Sequence, residues 1–88
     1  MSEAATSTLA VALRYEAPGA PRVVAKGRGW IGRQIIDTAA KHGVPMEQNP
    51  ALAEVLSTVE LETEIPEELY LAVAQVIGFL MRASGRIG

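Results

Sequence analysis

The sequence predicts an α/β domain: a small mixed sheet of three strands, containing one βαβ unit, packed with three helices. The first strand is indicated by large apolar side chains on every second residue, a spacing that places them on one face: Leu9, Val11, Leu13 and Tyr15. Residues 23–25 are apolar between two basic residues, which favours a short, well-buried second strand. Three amphipathic segments follow, and each needs such a sheet to cover.

The first helical segment is expected to run from residue 28 to residue 42. Ile31, Ile35 and Ala39 repeat at four-residue spacing, and Gly43 can take the left-handed conformation that ends a helix. Residues 44–48 are predicted to form the third strand. A strand, a helix and a strand at this spacing make a βαβ unit, in which the second and third strands are parallel and the crossover is right-handed.

Two further helices are marked by their first residues. Asn49 followed by Pro50 predicts an N-cap and the first helical position, and the expected buried stripe of that helix is Leu52, Val55, Leu56 and Val59. Pro66 opens the last helix, whose apolar face is Leu69, Val73, Val76 and Leu80. The domain is therefore expected to span residues 9–84, between a flexible leader (1–8) and a short tail (85–88).

Composition excludes several function classes. The 88 residues carry a net charge of −2 and no cysteine, which argues against a nucleic-acid binder and excludes disulfides and thiolate chemistry. No apolar run approaches the ~20 residues that span a bilayer, and no secretory signal begins the chain. His42 is the sole histidine and forms neither a metal site nor a catalytic triad alone. We expect a cytoplasmic, non-enzymatic protein without membrane insertion, metal or cofactor.

Several short segments, taken in order, carry a family resemblance: Val11-Ala-Leu-Arg-Tyr15, Ala20-Pro-Arg-Val-Val-Ala-Lys-Gly27, Gly43-Val-Pro45, Asn49-Pro-Ala-Leu-Ala53, Glu64-Ile-Pro-Glu-Glu-Leu-Tyr70 and Ala72-Val-Ala74. From Leu9 to about Met81 the chain resembles the C-terminal cytoplasmic domain of the FlhB/YscU family. That family is the export-apparatus switch component of flagellar and virulence type III secretion systems. The resemblance implies an export role with export-apparatus membrane proteins and early export substrates as partners.

The chain departs from the family pattern in two ways. Family members carry membrane-embedded helices before this domain, and they have an Asn-Pro-Thr-His tetrapeptide just before the first strand. The corresponding positions here are Ala5, Thr6, Ser7 and Thr8. Family autocleavage starts when the asparagine amide attacks its own carbonyl, and alanine has no amide. We therefore expect no self-cleavage, and the chain resembles the already-cut product.

An exposed sheet edge is expected to follow from this departure. In the family, a strand ending at the cleavage asparagine pairs with the sheet and stays bound after the cut. The five residues before Thr6 are too few to supply such a strand. We expect the free edge to pair in trans, with a second copy or with a segment of an export-apparatus protein, because exposed edges recruit strands.

A candidate partner-binding patch also follows from the resemblance. Ala20 and Pro21 stand where the family has a hydrophobic patch before the second strand, and Ala74 and Ile77 match the last-helix positions that border it. In the family this patch resembles a receptor for a short apolar recognition segment in early export substrates. The structural alternative is that Ala20 and Pro21 are loop residues and that Ala74 and Ile77 belong to the core.

Other motifs were weighed against structural explanations. The run from Gly27 to Gly32 matches G-x-G-x-x-G, so a nucleotide-binding mini-domain is an alternative function. A strand-to-helix turn is the favoured interpretation, because one βαβ unit does not build a nucleotide crevice and Trp30 would crowd the phosphates. Asn49-Pro50 is better explained as a helix cap than as a relocated cleavage site.

A run of acidic residues allows two interpretations, and the cellular role of the protein also allows more than one. The run is expected to be a solvated patch, or else a docking face for a basic partner: Glu60, Glu62, Glu64, Glu67 and Glu68. The leading function is a stand-alone component of a flagellar or related export system that stands in for, or competes with, the cleaved cytoplasmic fragment. An adaptor outside the export pathway is a further alternative. The flagellar or virulence setting, and activation or inhibition of export, stay open.

Overall fold

A computed structural model describes residues 8–16 and 18–83 of the chain. Its sheet is an antiparallel hairpin of β1 (Leu9–Arg14) and β2 (Arg22–Arg28). The pairing shifts by one residue between Ala12 and Leu13, whose partners are Ala25 and Val23, so Val24 is an extra residue on β2. Such a bulge leaves the opposite strand regular and increases the local twist.

The predicted third strand and the βαβ unit are wrong. Residues 44–48 form neither strand nor helix, and all five are exposed. Pro45 cannot donate to a ladder, and the Val44 N–H is already used at the helix end, where it donates to the Ala39 carbonyl at 2.9 Å. Within the described residues the sheet therefore has two antiparallel strands and no parallel pair.

The open side of the first half of β2 is instead covered by residues 62–65. The Val23 N–H donates to the Thr63 carbonyl at 3.2 Å, and the Glu62 N–H donates to the Val23 carbonyl at 2.7 Å. The Ile65 N–H donates to the Pro21 carbonyl at 2.9 Å. Residues 62–65 thus attach to the first half of β2 and hold the hairpin against the rest of the chain.

The first helix, α1 (Trp30–Lys41), begins two residues later than predicted. Gly29 precedes it with φ 62° and ψ −128°, a conformation that only glycine adopts readily. Gly43 after the helix has φ 67°, so the predicted left-handed helix end is confirmed. The expected stripe is confirmed at Ile35 and Ala39, which are half-buried, whereas Ile31 is 55% exposed.

The second helix, α2 (Pro50–Leu56), is capped at both ends. Asn49 Oδ1 accepts a hydrogen bond from the Leu52 N–H at 3.1 Å, so the predicted N-cap is confirmed. Past the other end, Lys26 Nζ donates to the carbonyls of Ser57 at 2.9 Å and Val59 at 2.6 Å. A cation there also interacts favourably with the negative end of the helix dipole.

The core lies between the second half of the chain and the face of the hairpin that carries Val11, Leu13 and Val23. A short 3₁₀ turn (Glu67–Leu69) follows Pro66 and leads into α3 (Tyr70–Ala83). Among the described residues, the buried apolar side chains are Val23, Leu56, Val59, Ile65 and Val73. Val55, which the sequence placed in the stripe of α2, is 47% exposed, because a helix this short has only a narrow buried face. The side chain of Leu80, the leader residues 1–7 and the predicted tail lie outside the described part of the chain.

Candidate functional site

An apolar groove of about 520 Å³ runs between the β1–β2 loop and α3. It is lined by Tyr15, Pro18, Gly19, Ala20, Pro21, Ile65, Tyr70, Val73, Ala74, Ile77 and Gly78. Its floor is built from core residues, since Ile65 is 3% exposed and Val73 1% exposed. The groove is therefore a surface opening onto the hydrophobic core.

The loop wall of the groove is held in place by backbone hydrogen bonds. The loop begins with a turn in which the Gly19 N–H donates to the Glu16 carbonyl at 3.1 Å. Pro21 is buried, and its carbonyl accepts from the Ile65 N–H. Ala20 is half-buried and packs against the core cluster. The wall is thus fixed at its far end to the segment that also supplies the floor.

The structure brings together all four residues of the predicted patch. Ala20 and Pro21 form part of the loop wall, while Ala74 and Ile77 lie on the facing side of α3. Ala74 is exposed, and Ile77 is half-buried with packing against the core. Ile77 therefore packs against the core and lines the groove at once.

Two groove residues were missed by sequence reasoning. Tyr15 is 50% exposed and Tyr70 is 45% exposed, and both line the groove. The alternation in the sequence predicts Tyr15 as the last residue on the inward face of the first strand, whereas it lies one residue beyond β1. Tyr70 begins α3, four residues after Pro66, which the sequence predicts as the start of this helix. A half-exposed tyrosine presents an apolar ring and a polar tip, which suits a binding surface.

The described lining of the groove is nearly uncharged, whereas acidic and basic side chains both lie at one end of its rim. Apart from the two tyrosines, no ionisable side chain is found among the described residues of the lining. A smaller cavity of about 110 Å³ shares Gly19 and Ala20 with it and is lined also by Arg14, Glu16, Arg22 and Glu64. Arg22 donates to the Glu62 carbonyl at 3.1 Å and lies 3.9 Å from the Glu64 carboxylate. The interior therefore suits apolar groups, with polar partners available at one end.

Ionisable groups elsewhere do not form a second candidate centre among the described residues. Arg28 makes a two-pronged hydrogen bond to the Glu54 carboxylate, at 3.0 and 2.8 Å. This pair is exposed, and its hydrogen bonds hold the pKa of Glu54 below the ordinary glutamate value. No cluster of acidic, histidine or cysteine side chains that could hold a metal occurs in residues 8–16 and 18–83.

The glycines of the nucleotide-like motif have packing roles. A Cβ on Gly27 would overlap the side chain of Ile31, and a Cβ on Gly32 would lie 2.7 Å from the Gly27 carbonyl oxygen and 2.9 Å from that of Thr8. The absence of side chains at these positions lets α1 approach the hairpin backbone. Trp30 is 75% exposed beside this turn. The spacing of the motif is thus accounted for by close packing.

The degenerate cleavage-motif positions are only partly visible in the structure. Ala5, Thr6 and Ser7 lie outside the described residues. Thr8 immediately precedes β1, and its carbonyl accepts from the Gly29 N–H at 2.7 Å. No helix in the described part of the chain is long and apolar enough to cross a membrane.

The hairpin and the three helices match the fold of two solved C-terminal domains. The chain superimposes on the PscU C-terminal domain with a TM-score of 0.77 at 27% identity, covering 82% of this chain and 95% of that one. A substituted form of the EscU C-terminal domain gives a TM-score of 0.81 at 26% identity, covering 84% of this chain and 71% of that one.

Sequence comparison gives the family directly. Residues 6–80 match the model of the FlhB HrpN YscU SpaS family, and the chain belongs to this family. It is 37% identical over 84 residues to the protein YlqH of Bacillus subtilis (strain 168), covering 93% of this chain and 90% of YlqH. It is 41% identical over 76 residues to the flagellar biosynthetic protein FlhB of Aquifex aeolicus (strain VF5), covering 83% of this chain.

The extent of these matches differs between relatives. The chain spans 22% of the length of the Aquifex FlhB. It spans 23% of the hypersensitivity response secretion protein HrcU of Ralstonia nicotianae (strain ATCC BAA-1114 / GMI1000), at 41% identity over 83 residues and covering 90% of this chain. YlqH, by contrast, consists of little more than the matched domain.

Proposed function

We propose that this domain acts in type III protein export as a non-enzymatic recognition module whose groove binds a short apolar segment of an early export substrate. The observation that carries the proposal is the placement of Ala20, Pro21, Ala74 and Ile77 along one groove. Membership of the switch-protein family supplies the export setting.

The dimensions and chemistry of the groove suit this ligand class. Its volume of about 520 Å³ lies within the ~300–1,000 Å³ range of binding pockets, so it has room for more than one large apolar side chain. Alanines at positions 20 and 74 keep the walls low. A buried floor of Ile65 and Val73 offers the dry contact surface on which binding free energy concentrates.

The proposed cellular role is to stand in for, or compete with, the cleaved cytoplasmic fragment of the FlhB-type switch protein. YlqH supports this role, because it shows that the family contains a chain made mostly of the switch domain. The 88-residue sequence contains one asparagine, Asn49, and its side chain is engaged in capping α2. This capping role supports the proposal that the chain does not carry out the family's imide-forming cleavage. The proposed partners are export-apparatus membrane proteins at the cytoplasmic face of the export gate.

Substitution of Ala74 tests the groove. Ala74→Glu places a carboxylate in the apolar lining, and we expect it to weaken binding of synthetic peptides from the N-terminal segments of early export substrates by at least tenfold, because a desolvated charge is costly. Ala72→Glu is the matched control, since Ala72 is exposed on α3 and is not among the groove-lining residues. Fluorescence anisotropy measures binding and circular dichroism verifies folding. Equal affinity of a folded Ala74→Glu variant would refute the groove as the site.

The cellular role is tested in a strain whose full-length switch protein is truncated after its cleavage position. We expect export, read as motility in a flagellar system, to be restored only when this chain is present. Calorimetry with NAD and with ATP separates the nucleotide-binding alternative, for which the proposal predicts no heat of binding. Peptide binding without any effect on export would instead indicate an adaptor outside the pathway.

A further inference from the structure

The direction of the backbone hydrogen bonds along β1 defines its outer edge. The Thr8 carbonyl accepts from the Gly29 N–H, so the residue before β1 bonds toward the strand after the loop. Hydrogen-bonded pairs alternate with non-bonded pairs in an antiparallel ladder. Ala10 and Ala12, two and four residues further on, therefore also bond toward β2. The alternate residues direct their N–H and C=O groups away from β2: Leu9, Val11 and Leu13.

The bonding of β2 supports this assignment independently. Val23 is the register partner of Leu13, and it directs its N–H and C=O to Thr63 and Glu62 on the side away from β1. The pair of Val23 and Leu13 is therefore a non-hydrogen-bonded pair of the hairpin, and the backbone groups of Leu13 point outward too. Because the extra residue lies on β2, the alternation along β1 is uninterrupted.

This edge of β1 has no backbone partner within residues 8–16 and 18–83. Among the described residues, no backbone hydrogen bond joins Leu9, Val11 or Leu13 to any segment other than the hairpin. The corresponding edge of β2 is treated differently. Its first half is paired with residues 62–65, and its second half carries two charged residues, Lys26 and Arg28. Charged residues on an edge strand discourage strand addition, and β1 carries none from Leu9 to Leu13.

We infer that β1 pairs with β1 of a second copy of this chain, antiparallel and centred on Val11, to make a continuous four-stranded sheet. In this register Val11 faces its own equivalent. Leu9 of each copy faces Leu13 of the other, which brings the number of pairs to three. Each of these three pairs exchanges two hydrogen bonds, so three pairs give six bonds and use every outward backbone group.

The sequence of β1 favours a second copy at this register. The only charge on the strand, Arg14, faces Thr8 of the other copy. A shift that brings Arg14 opposite its own equivalent places like charges together, which is destabilising. A register shift of two residues in the opposite direction leaves fewer hydrogen-bonded pairs between the two β1 strands. This inference is independent of the groove, so its failure and that of the proposed function are distinguishable.

The oligomeric state of the full 88-residue chain tests the inference. Sedimentation velocity over a range of concentrations is expected to show a monomer–dimer equilibrium. Leu9→Pro removes one outward N–H at the first strand position, where proline is tolerated, and by symmetry removes two of the six bonds. At ~1 kcal/mol each, dimerisation should weaken about thirtyfold. Leu9→Ala is the control, because it keeps the N–H. A monomer at every concentration, or equal loss in both variants, would overturn the inference.

Cross-linking tests the register, since the chain has no cysteine of its own. Ala10 faces Ala12 of the other copy in a non-hydrogen-bonded pair, where Cβ atoms are close enough for a disulfide. A mixture of Ala10→Cys and Ala12→Cys chains should therefore form disulfide-linked heterodimers faster than either variant forms homodimers. Equal rates in all three samples would contradict the proposed register, and absence of cross-linking in folded protein would contradict the interface.

Discussion

The close approach of α1 to the hairpin predicts a large effect from adding one methyl group. Gly32 is buried, and a Cβ on it would lie 2.7 Å from the Gly27 carbonyl oxygen, 2.9 Å from the Thr8 carbonyl oxygen and 3.3 Å from the Ala10 nitrogen. All three are backbone atoms on the two strands or at their ends. None can move aside by a change of rotamer, so Gly32→Ala must displace the helix from the sheet.

The magnitude follows from two opposing contributions. Overpacking costs ~1–3 kcal/mol, and crowding against three backbone atoms places this case at about 2–3 kcal/mol. Replacing glycine by alanine inside a helix restores ~1 kcal/mol of stability through the backbone. We expect a net loss of about 1–2 kcal/mol in the free energy of unfolding. For a domain of this size that corresponds to a melting temperature lower by roughly 5–15 °C.

Thermal and urea unfolding followed by circular dichroism measure this effect. Gln34→Ala is the matched control, because Gln34 is exposed on the same helix and should change stability by less than ~0.5 kcal/mol. A Gly32→Ala variant as stable as the wild type would refute the packing explanation of the glycine motif. It would also restore interest in a ligand-binding role for this turn.

Three further substitutions address the capping and charge interactions. Lys26→Met should lower the free energy of unfolding by ~2 kcal/mol in urea titrations, since two partly buried carbonyls lose a charged donor; an unchanged midpoint would contradict this role. Asn49→Ala should cost ~1 kcal/mol by loss of the N-cap, and Asn49→Asp should retain most of it. Because Arg28 lowers the pKa of Glu54 in the folded chain, their attraction contributes fully above the unfolded glutamate pKa of about 4.3 and is lost as pH falls through the lower folded value. Glu54→Gln should therefore flatten the acid limb of a stability–pH curve, and an unchanged limb would show that the pair contributes nothing.

Local rules were sufficient for the elements whose physics is local. Alternation in 9–15 gave β1, the Asn49-Pro50 pair gave the start of α2, and Gly43 gave the end of α1, because each depends on a few neighbouring residues. The prediction of a strand at residues 44–48 was wrong for the opposite reason. Their apolar letters satisfy a strand pattern, but a strand needs a partner edge, and the segment 62–65 occupies it instead. The segment that pairs with β2 is distant in the sequence, so local patterns do not reveal this competition for the strand edge.

The candidate site shows the same division. The four patch residues came from a family resemblance, and the structure places them along one groove. The tyrosines at 15 and 70 were not identified, because their roles depend on how the loop at 18–21 folds toward α3. Likewise the glycine spacing is compatible with a packing role and with a phosphate-binding turn. Only the distances around Gly32 distinguish the two explanations.

The attachment of residues 62–65 to β2 relates the fold to the proposed function. The hydrogen bond from the Ile65 N–H to the Pro21 carbonyl ties the loop wall to the segment that supplies the groove floor, so both surfaces are positioned before any ligand arrives. A preformed groove does not lose affinity to loop ordering. Binding should therefore respond to the chemistry of the lining, as at Ala74, more than to the flexibility of the loop.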